Sequence, residues 1–199
     1  MKKKIIILAC VVIIIATALV FGAKLATKPQ IQNQAEASIT PEVIEVESTV
    51  GEASSLEGTM KLILKKMVDK NNQTQTYSFI SSDSSSPIFT KTVGLSQSMA
   101  IPANSWSPDN KYVFVEEKNE QGEKNYLVLK ASGEPFTDGQ QYYDVKSLFM
   151  AKKTQYTLDK ITGWASSNLL IITTLTEQST KGPSYWFEVP SKAFLQLSR

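Results

Sequence analysis

From residue 59 onward the chain is a succession of short apolar or alternating runs separated by clusters of Asn, Asp, Ser, Gly and Pro. The runs fall at 61–68 (KLILKKMV), 76–82 (TYSFISS), 87–93 (PIFTKTV), 111–117 (KYVFVEE), 124–131 (KNYLVLKA), 154–161 (TQYTLDKI), 168–175 (NLLIITTL), 184–189 (SYWFEV) and 193–198 (AFLQLS). Each is rich in β-branched and aromatic residues, which suit a pleated, half-buried surface. The stretches between them, among them DKNNQ (69–73), NEQGEK (119–124) and STKGPS (179–184), hold the residues that turn a backbone. Loops this short join antiparallel neighbours, so the pattern predicts an all-β antiparallel meander. Residues 142–153 (YYDVKSLFMAKK) come nearest to a helical stripe and predict a turn or two of helix.

The first 24 residues follow another pattern. Three lysines precede nineteen uncharged, mostly apolar residues at 5–23. As a helix that run would be roughly 29 Å long, close to the thickness of a bilayer's hydrocarbon core. The lysines favour the cytoplasmic side, so a single-pass signal-anchor in the cell membrane, with everything after Lys24 extracytoplasmic, is the expectation. Cleavage after Gly22 or Ala23 is the competing reading, although Val20 or Phe21 would then stand where signal peptidase requires a small residue. Lipidation at Cys10 is a weaker competitor, because the apolar run continues well past that residue. Residues 25–58 carry six glutamates and no aromatic residue, and 29–58 hold no lysine or arginine; that composition predicts an acidic flexible linker, with a short extended patch at 43–46 able to dock elsewhere. The folded domain is thus expected over 59–199.

Two stretches of that domain share an order of parts. In SWSPDNKYVFVEEKNEQGEKNYLVLKASGEPF (105–136) and GWASSNLLIITTLTEQSTKGPSYWFEVPSKAFLQL (163–197), a tryptophan precedes a small polar turn. A strand, a glycine-containing hairpin and an aromatic strand follow. Residues 76–93 read as an earlier copy without the tryptophan. Pro108 presets the first turn, Asp109 can accept hydrogen bonds from nearby amides, and Trp106 or Trp164 can pack beneath against a neighbouring layer. The segment Trp106-Ser107-Pro108-Asp109-Asn110-Lys111 resembles the W-S-P-D-G-K turn of WD-repeat-like β-propellers of the TolB type, with Asn110 in place of glycine at a position that asparagine tolerates. Tyr126 to Gly133 follows the later part of that repeat loosely, and the likeness covers about half of the domain. The resemblance implies two or three blade-like repeats of four strands each and a role in binding proteins or peptides. The hydrolase domain that accompanies some members of that family is not recognisable in this sequence. About three blades are too few for a ring, since propellers use roughly four to eight, so an incomplete propeller or a sandwich-like stack is expected.

Charge and chemistry narrow the functional classes. The chain has 21 basic and 19 acidic residues, no histidine and a single cysteine. Intrachain disulfides, cysteine zinc sites and the Ser-His-Asp and Cys-His mechanisms are therefore closed to it. Asp69, Asn71 and Gln73 alternate as in a calcium loop, but the sixth-position glycine and the twelfth-position carboxylate are missing, so a solvated hairpin is expected and no metal or other cofactor is assigned. Asp138, Asp144 and Asp159 are the carboxylates that a hydrolase would need to bring together. The scattered lysines of an outward-facing domain give no reason to expect nucleic acid. In Tyr185-Trp186-Phe187, consecutive side chains point to opposite faces of a strand, so one face must be covered by a neighbouring layer or by a partner. The candidate binding residues are accordingly Trp106, Asp109, Trp164, Tyr185 and Trp186. The expected function is protein or cell-envelope binding, with self-association through an exposed strand edge at 193–199, guarded only by Lys192 and Arg199. A carboxylate-dependent envelope hydrolase and a structural accessory subunit are the alternatives.

Overall fold

A computed structural model describes residues 46–153 and 155–198. They form three antiparallel sheets of four strands, each a meander in chain order. Sheet 1 holds β1 (Ser48–Ser54), β2 (Lys61–Asp69), β3 (Thr74–Ser81) and β4 (Phe89–Gly94). Sheet 2 holds β5 (Ser98–Ala100), β6 (Tyr112–Lys118), β7 (Lys124–Lys130) and β8 (Tyr143–Asp144). After helix α1 (Val145–Lys152), sheet 3 holds β9 (Thr157–Ser166), β10 (Leu169–Leu175), β11 (Tyr185–Glu188) and β12 (Ala193–Gln196). None of the sheets closes on itself.

Sequence pattern fixes the order of the layers. In β3 and β10 burial alternates residue by residue, the signature of a sheet with one covered face. In β6 and β7 four consecutive residues, Val113–Glu116 and Tyr126–Leu129, are buried, which requires cover on both sides. Sheet 2 is that doubly covered layer. Val113, Val115, Leu127 and Leu129 share a core with Leu62, Leu64, Tyr77 and Phe79 of sheet 1. Phe114, Tyr126 and Val128 share the other with Leu170, Ile172, Tyr185 and Phe187 of sheet 3. Helix α1 drives Val145 and Phe149 into this second core, where the Phe149 ring meets Tyr185 and Phe194 edge-on, each at 5.2 Å. Asp144 caps the helix by accepting a hydrogen bond from the Ser147 amide at 2.8 Å.

The all-β antiparallel expectation holds, and three strands were not legible. The first, β1, lies inside the stretch read as acidic linker: Ser54 pairs with Lys61 and Ser48 with Lys66, and Glu52 within the strand and Glu47 just before it form ion pairs with Lys61 and Lys65. Acidic composition there reflects a strand with an exposed edge, not a free tether. The others, β5 and β8, are too short for a period to show. Among the described residues no helix is long and apolar enough to cross a membrane. The anchor expected at 5–23 and the remainder of the linker up to residue 45 lie outside them.

Candidate functional site

The turn that joins the first and second strands of sheet 2 is built around a buried serine. Ser107 Oγ accepts the Tyr112 amide at 3.0 Å and donates to Asp109 Oδ1 at 2.8 Å, while the Ser107 amide donates to Tyr112 O and the Asn110 amide donates to Ser107 O, both at 2.9 Å. Asn110 has φ 58°, the left-handed position where the resembling family carries glycine. Asp109 also accepts the Lys111 amide at 3.3 Å and pairs with its ammonium at 3.2 Å. Partial burial pushes the Asp109 carboxyl up, but the bonds from Ser107 and Lys111 and the Lys111 charge together hold it below the usual carboxylate range. With its lone pairs so engaged, Asp109 is a component of the turn.

Sheet 1 contains the same device. Ser55 Oγ accepts the Met60 amide at 3.0 Å, the Ser55 amide donates to Met60 O at 2.8 Å, the Gly58 amide donates to Ser55 O at 2.9 Å, and Gly58 has φ 70°. Ser55–Met60 thus superimposes in hydrogen bonding on Ser107–Tyr112. The earlier copy of the repeat therefore begins at Ser55, upstream of the stretch at 76–93 where the sequence suggested it.

Trp106 and Trp164 perform one task in successive sheets. Trp106, 6% exposed and bridged to Val113, donates its indole N–H to Ala53 O of β1 at 3.1 Å. Trp164, on β9 opposite Leu170, donates to Ser105 O just before Trp106, also at 3.1 Å. The Trp106 indole ties the segment between β5 and β6 to β1 of sheet 1, and the Trp164 indole ties β9 of sheet 3 to that same segment. Asn104, with φ 56°, adds a longer contact from its Nδ2 to Thr162 O at 3.4 Å, and a Cβ at Gly163, where φ is 143°, would lie a tight 3.1 Å from the Asn104 Cβ. Ser105 Oγ, buried beside these bridges, is the one buried side-chain polar atom among the described residues without a hydrogen-bond partner.

Where these bridged segments converge, a cleft of about 500 Å³ opens. Sheet 1 contributes Ser54 and Leu56, sheet 2 Asn104, Trp106 and Pro108, and sheet 3 Thr162, Gly163, Trp164 and Ile171. Leu56 is 86% exposed at the rim. The lining is about as polar as it is apolar: Leu56, Pro108, Ile171 and the tryptophans alternate with hydroxyl, amide and backbone groups, and no ionisable side chain belongs to it. Both indole N–H groups are spent on the bridges, and with Trp106 almost wholly buried it is Trp164 that offers aromatic surface to an occupant. Such a lining can take up an uncharged group that offers both apolar surface and hydrogen-bonding atoms.

The remaining candidates lie elsewhere. Tyr185 is fully buried in the core between sheets 2 and 3, its hydroxyl donating to Gln196 Oε1 at 3.3 Å, so it is no partner surface. Burial raises its phenol pKa, with the nearby Tyr156 adding to the effect. Trp186, one residue on, points to the outer face of sheet 3, opposite Ile171 and Leu195. The three aspartates do not converge: Asp138 pairs with Lys192 at 2.7 Å, Asp144 caps α1, and Asp159 accepts from Thr173. The Asp138–Lys192 pair reaches from sheet 2 to sheet 3, with the ammonium 5.1 Å above the Tyr143 ring. Lys192, expected to guard an edge, thereby clamps two layers. Asp69 accepts the Asn71 and Asn72 amides within its own hairpin, and the described residues contain no cluster of three or more potential metal ligands from His, Cys, Asp and Glu. Leu56, Asn104, Thr162 and Ile171 carried no signal in the sequence, since it is their convergence from separate sheets that makes them a site. The chain matches no protein-family model, no curated protein and no solved structure.

Proposed function

We propose that this chain is a membrane-tethered extracytoplasmic binding module, a short stack of propeller-like blades that engages a protein of the cell envelope without transforming it. The observation that carries the reading is the cleft lined from all three sheets, where Leu56, Pro108 and Trp164 stand among hydroxyl and amide groups without an ionisable side chain. Its occupant is an extended polypeptide segment offering an apolar side chain between Leu56, Pro108 and Trp164. The run at 5–23 holds the module at the membrane, and the acidic residues that follow keep it clear of the surface. The hydrolase alternative lacks support, because the carboxylates it would need are engaged in separate structural contacts.

In-cell crosslinking and co-purification of the full-length chain test the reading, with protease added to intact cells to report sidedness. The expected result is a partner captured by the native chain and lost with Leu56→Asp, and a domain digested from outside. Equal capture by Leu56→Asp would remove the cleft from the function. A domain shielded in intact cells yet cleaved after lysis would refute the extracytoplasmic placement.

A further inference from the structure

β1 is an edge strand of sheet 1, and no residue of Ser48–Ser54 is buried. The turn after it sets which of its main-chain groups are in use. The Ser55 amide donates to Met60 O at 2.8 Å, so in the alternation of an antiparallel pair Ala53 and Gly51 bond to β2, while Ser54 and Glu52 turn their amides and carbonyls away from it. Lys61, opposite Ser54, agrees with that phase: its carbonyl accepts the Ser82 amide, just past β3, at 2.8 Å. Among the described residues no main-chain partner reaches the outward groups of Glu52 and Ser54. Edges that meet only water are commonly blunted by lysine, proline or a bulge. β1 holds no lysine or proline, and its one irregularity, between Thr49 and Gly51, leaves Glu52–Ser54 regular. That regular end runs into the cleft, which Ser54 and Leu56 line.

We infer that the partner polypeptide is bound by strand addition: an extended segment pairs its main chain with Glu52 and Ser54, becomes a fifth strand of sheet 1, and continues into the cleft. The edge presents donors and acceptors at the repeat of an extended main chain, a pattern that a polypeptide matches and a lipid or glycan does not. The flanking side chains set the sequence pattern of the occupant. Gly51 and Ala53 form the inward row of β1, opposite buried Leu64 and Leu62, and half-buried Ile101 lies close to Gly51. An added strand therefore places apolar side chains on that row, where they cover Ile101. The outward row holds Ser54 and Glu52, whose carboxylate already pairs with Lys61 at 3.1 Å, so the alternate residues of the added strand are polar. The occupant is thus an extended segment with apolar residues at every second position. Strand addition presupposes the polypeptide-binding role proposed above and supplies the main-chain contact that the cleft alone lacks.

A phage-displayed library of random short peptides, selected on purified full-length protein, supplies the probe. Enriched peptides should alternate apolar and polar residues, and on binding should slow hydrogen exchange at the Glu52 and Ser54 amides, which exchange fast in the peptide-free protein. N-methylation of every second peptide residue should abolish binding in one phase, where the amides face β1, and leave it intact in the other. Glu52→Pro removes an outward amide without touching the bonds to β2, and should weaken binding by about tenfold or more. Glu52→Ala, which loses only the ion pair to Lys61, should bind as the native chain does. The two N-methyl phases decide the matter even where Glu52→Pro perturbs the strand. Failure to enrich any peptide, Glu52 and Ser54 amides already slow before peptide is added, or equal tolerance of both N-methyl phases would each overturn strand addition. A peptide that needs Leu56 but not the β1 amides keeps the cleft and sinks strand addition, whereas one that needs those amides and is indifferent to Leu56→Asp keeps strand addition and removes the cleft.

Discussion

Replacing Trp106 separates the two contributions that this residue makes to joining sheets 1 and 2. The indole is 6% exposed and packs among Leu62, Leu64, Val113 and Val115. Truncation to alanine opens a cavity between the two sheets, and Trp106→Ala is expected to cost about 3–5 kcal/mol. Trp106→Phe keeps most of the packed surface and removes only the donor to Ala53 O, so about 1 kcal/mol is expected. Asp109→Ala removes the acceptor of two turn hydrogen bonds on a partly exposed carboxylate, again about 1 kcal/mol. Urea unfolding of residues 46–199, followed by circular dichroism so that loss of a fluorophore does not distort the signal, gives the three values. Trp106→Ala should be the most damaging by a clear margin, with the other two similar. If Asp109→Ala proved the worst, the turn would be holding something beyond its own backbone. If Trp106→Phe matched Trp106→Ala, the hydrogen bond and not the packing would be the joint.

Three further outcomes follow from the same geometry. A fragment starting at Thr59 lacks β1, and with it the acceptor of the Trp106 indole and the Ser55 turn; it should lose cooperative unfolding or shift to a much lower urea midpoint than 46–199, and equal midpoints would show that β1 is dispensable. Because the Asp109 carboxyl is held below its ordinary pKa, its contribution is fully present above about pH 4 and is lost as the pH falls through the folded value. The deficit of Asp109→Asn measured at pH 7 should therefore vanish in strong acid, and a deficit unchanged with pH would contradict the ionic account. Burial, with the negative charge of Glu116 beside it, pushes the Tyr126 phenol up to about 12. The folded state then holds a proton that the unfolded chain gives up near pH 10, so stability should fall by roughly 3 kcal/mol between pH 10 and 12, and Tyr126→Phe should remove that component of the alkaline loss.

The architecture was legible where burial writes a period and obscure where it does not. Alternation in 76–82 marks a strand with one covered face, and the unbroken apolar runs YVFV and YLVL suit the middle sheet with two; the equally unbroken LLII of 169–172 lies in a sheet whose burial alternates, so an apolar run alone did not tell the layers apart. Ser48–Ser54 has no such signature: it is an edge strand whose paired residues are Ser, Thr, Gly, Glu and Ala, and its attachment comes from backbone bonds and from Ala53 O receiving a distant indole. The repeat was hidden for a related reason. Ser55-Leu-Glu-Gly58-Thr-Met60 and Ser107-Pro-Asp-Asn110-Lys-Tyr112 share only serine at the first position, yet they make the same three backbone-directed bonds and the same left-handed residue. What the fold requires there is a small hydroxyl at the start and a residue tolerant of positive φ three places on, and many sequences satisfy that. The tryptophan that made the later copies visible is missing from the first for a physical reason. At Trp106 and Trp164 the indole reaches back to the preceding sheet, and sheet 1 has none before it among the described residues; Ser54 stands in the corresponding place beside a polar face. The most recognisable side chain of the repeat is therefore a joint between sheets, while the backbone of the same residue pairs within its own sheet. The same distinction explains the cleft: Trp106 and Trp164 could be picked out as candidates, but Leu56 and Ile171 line one cleft only once the joints have drawn the three sheets together.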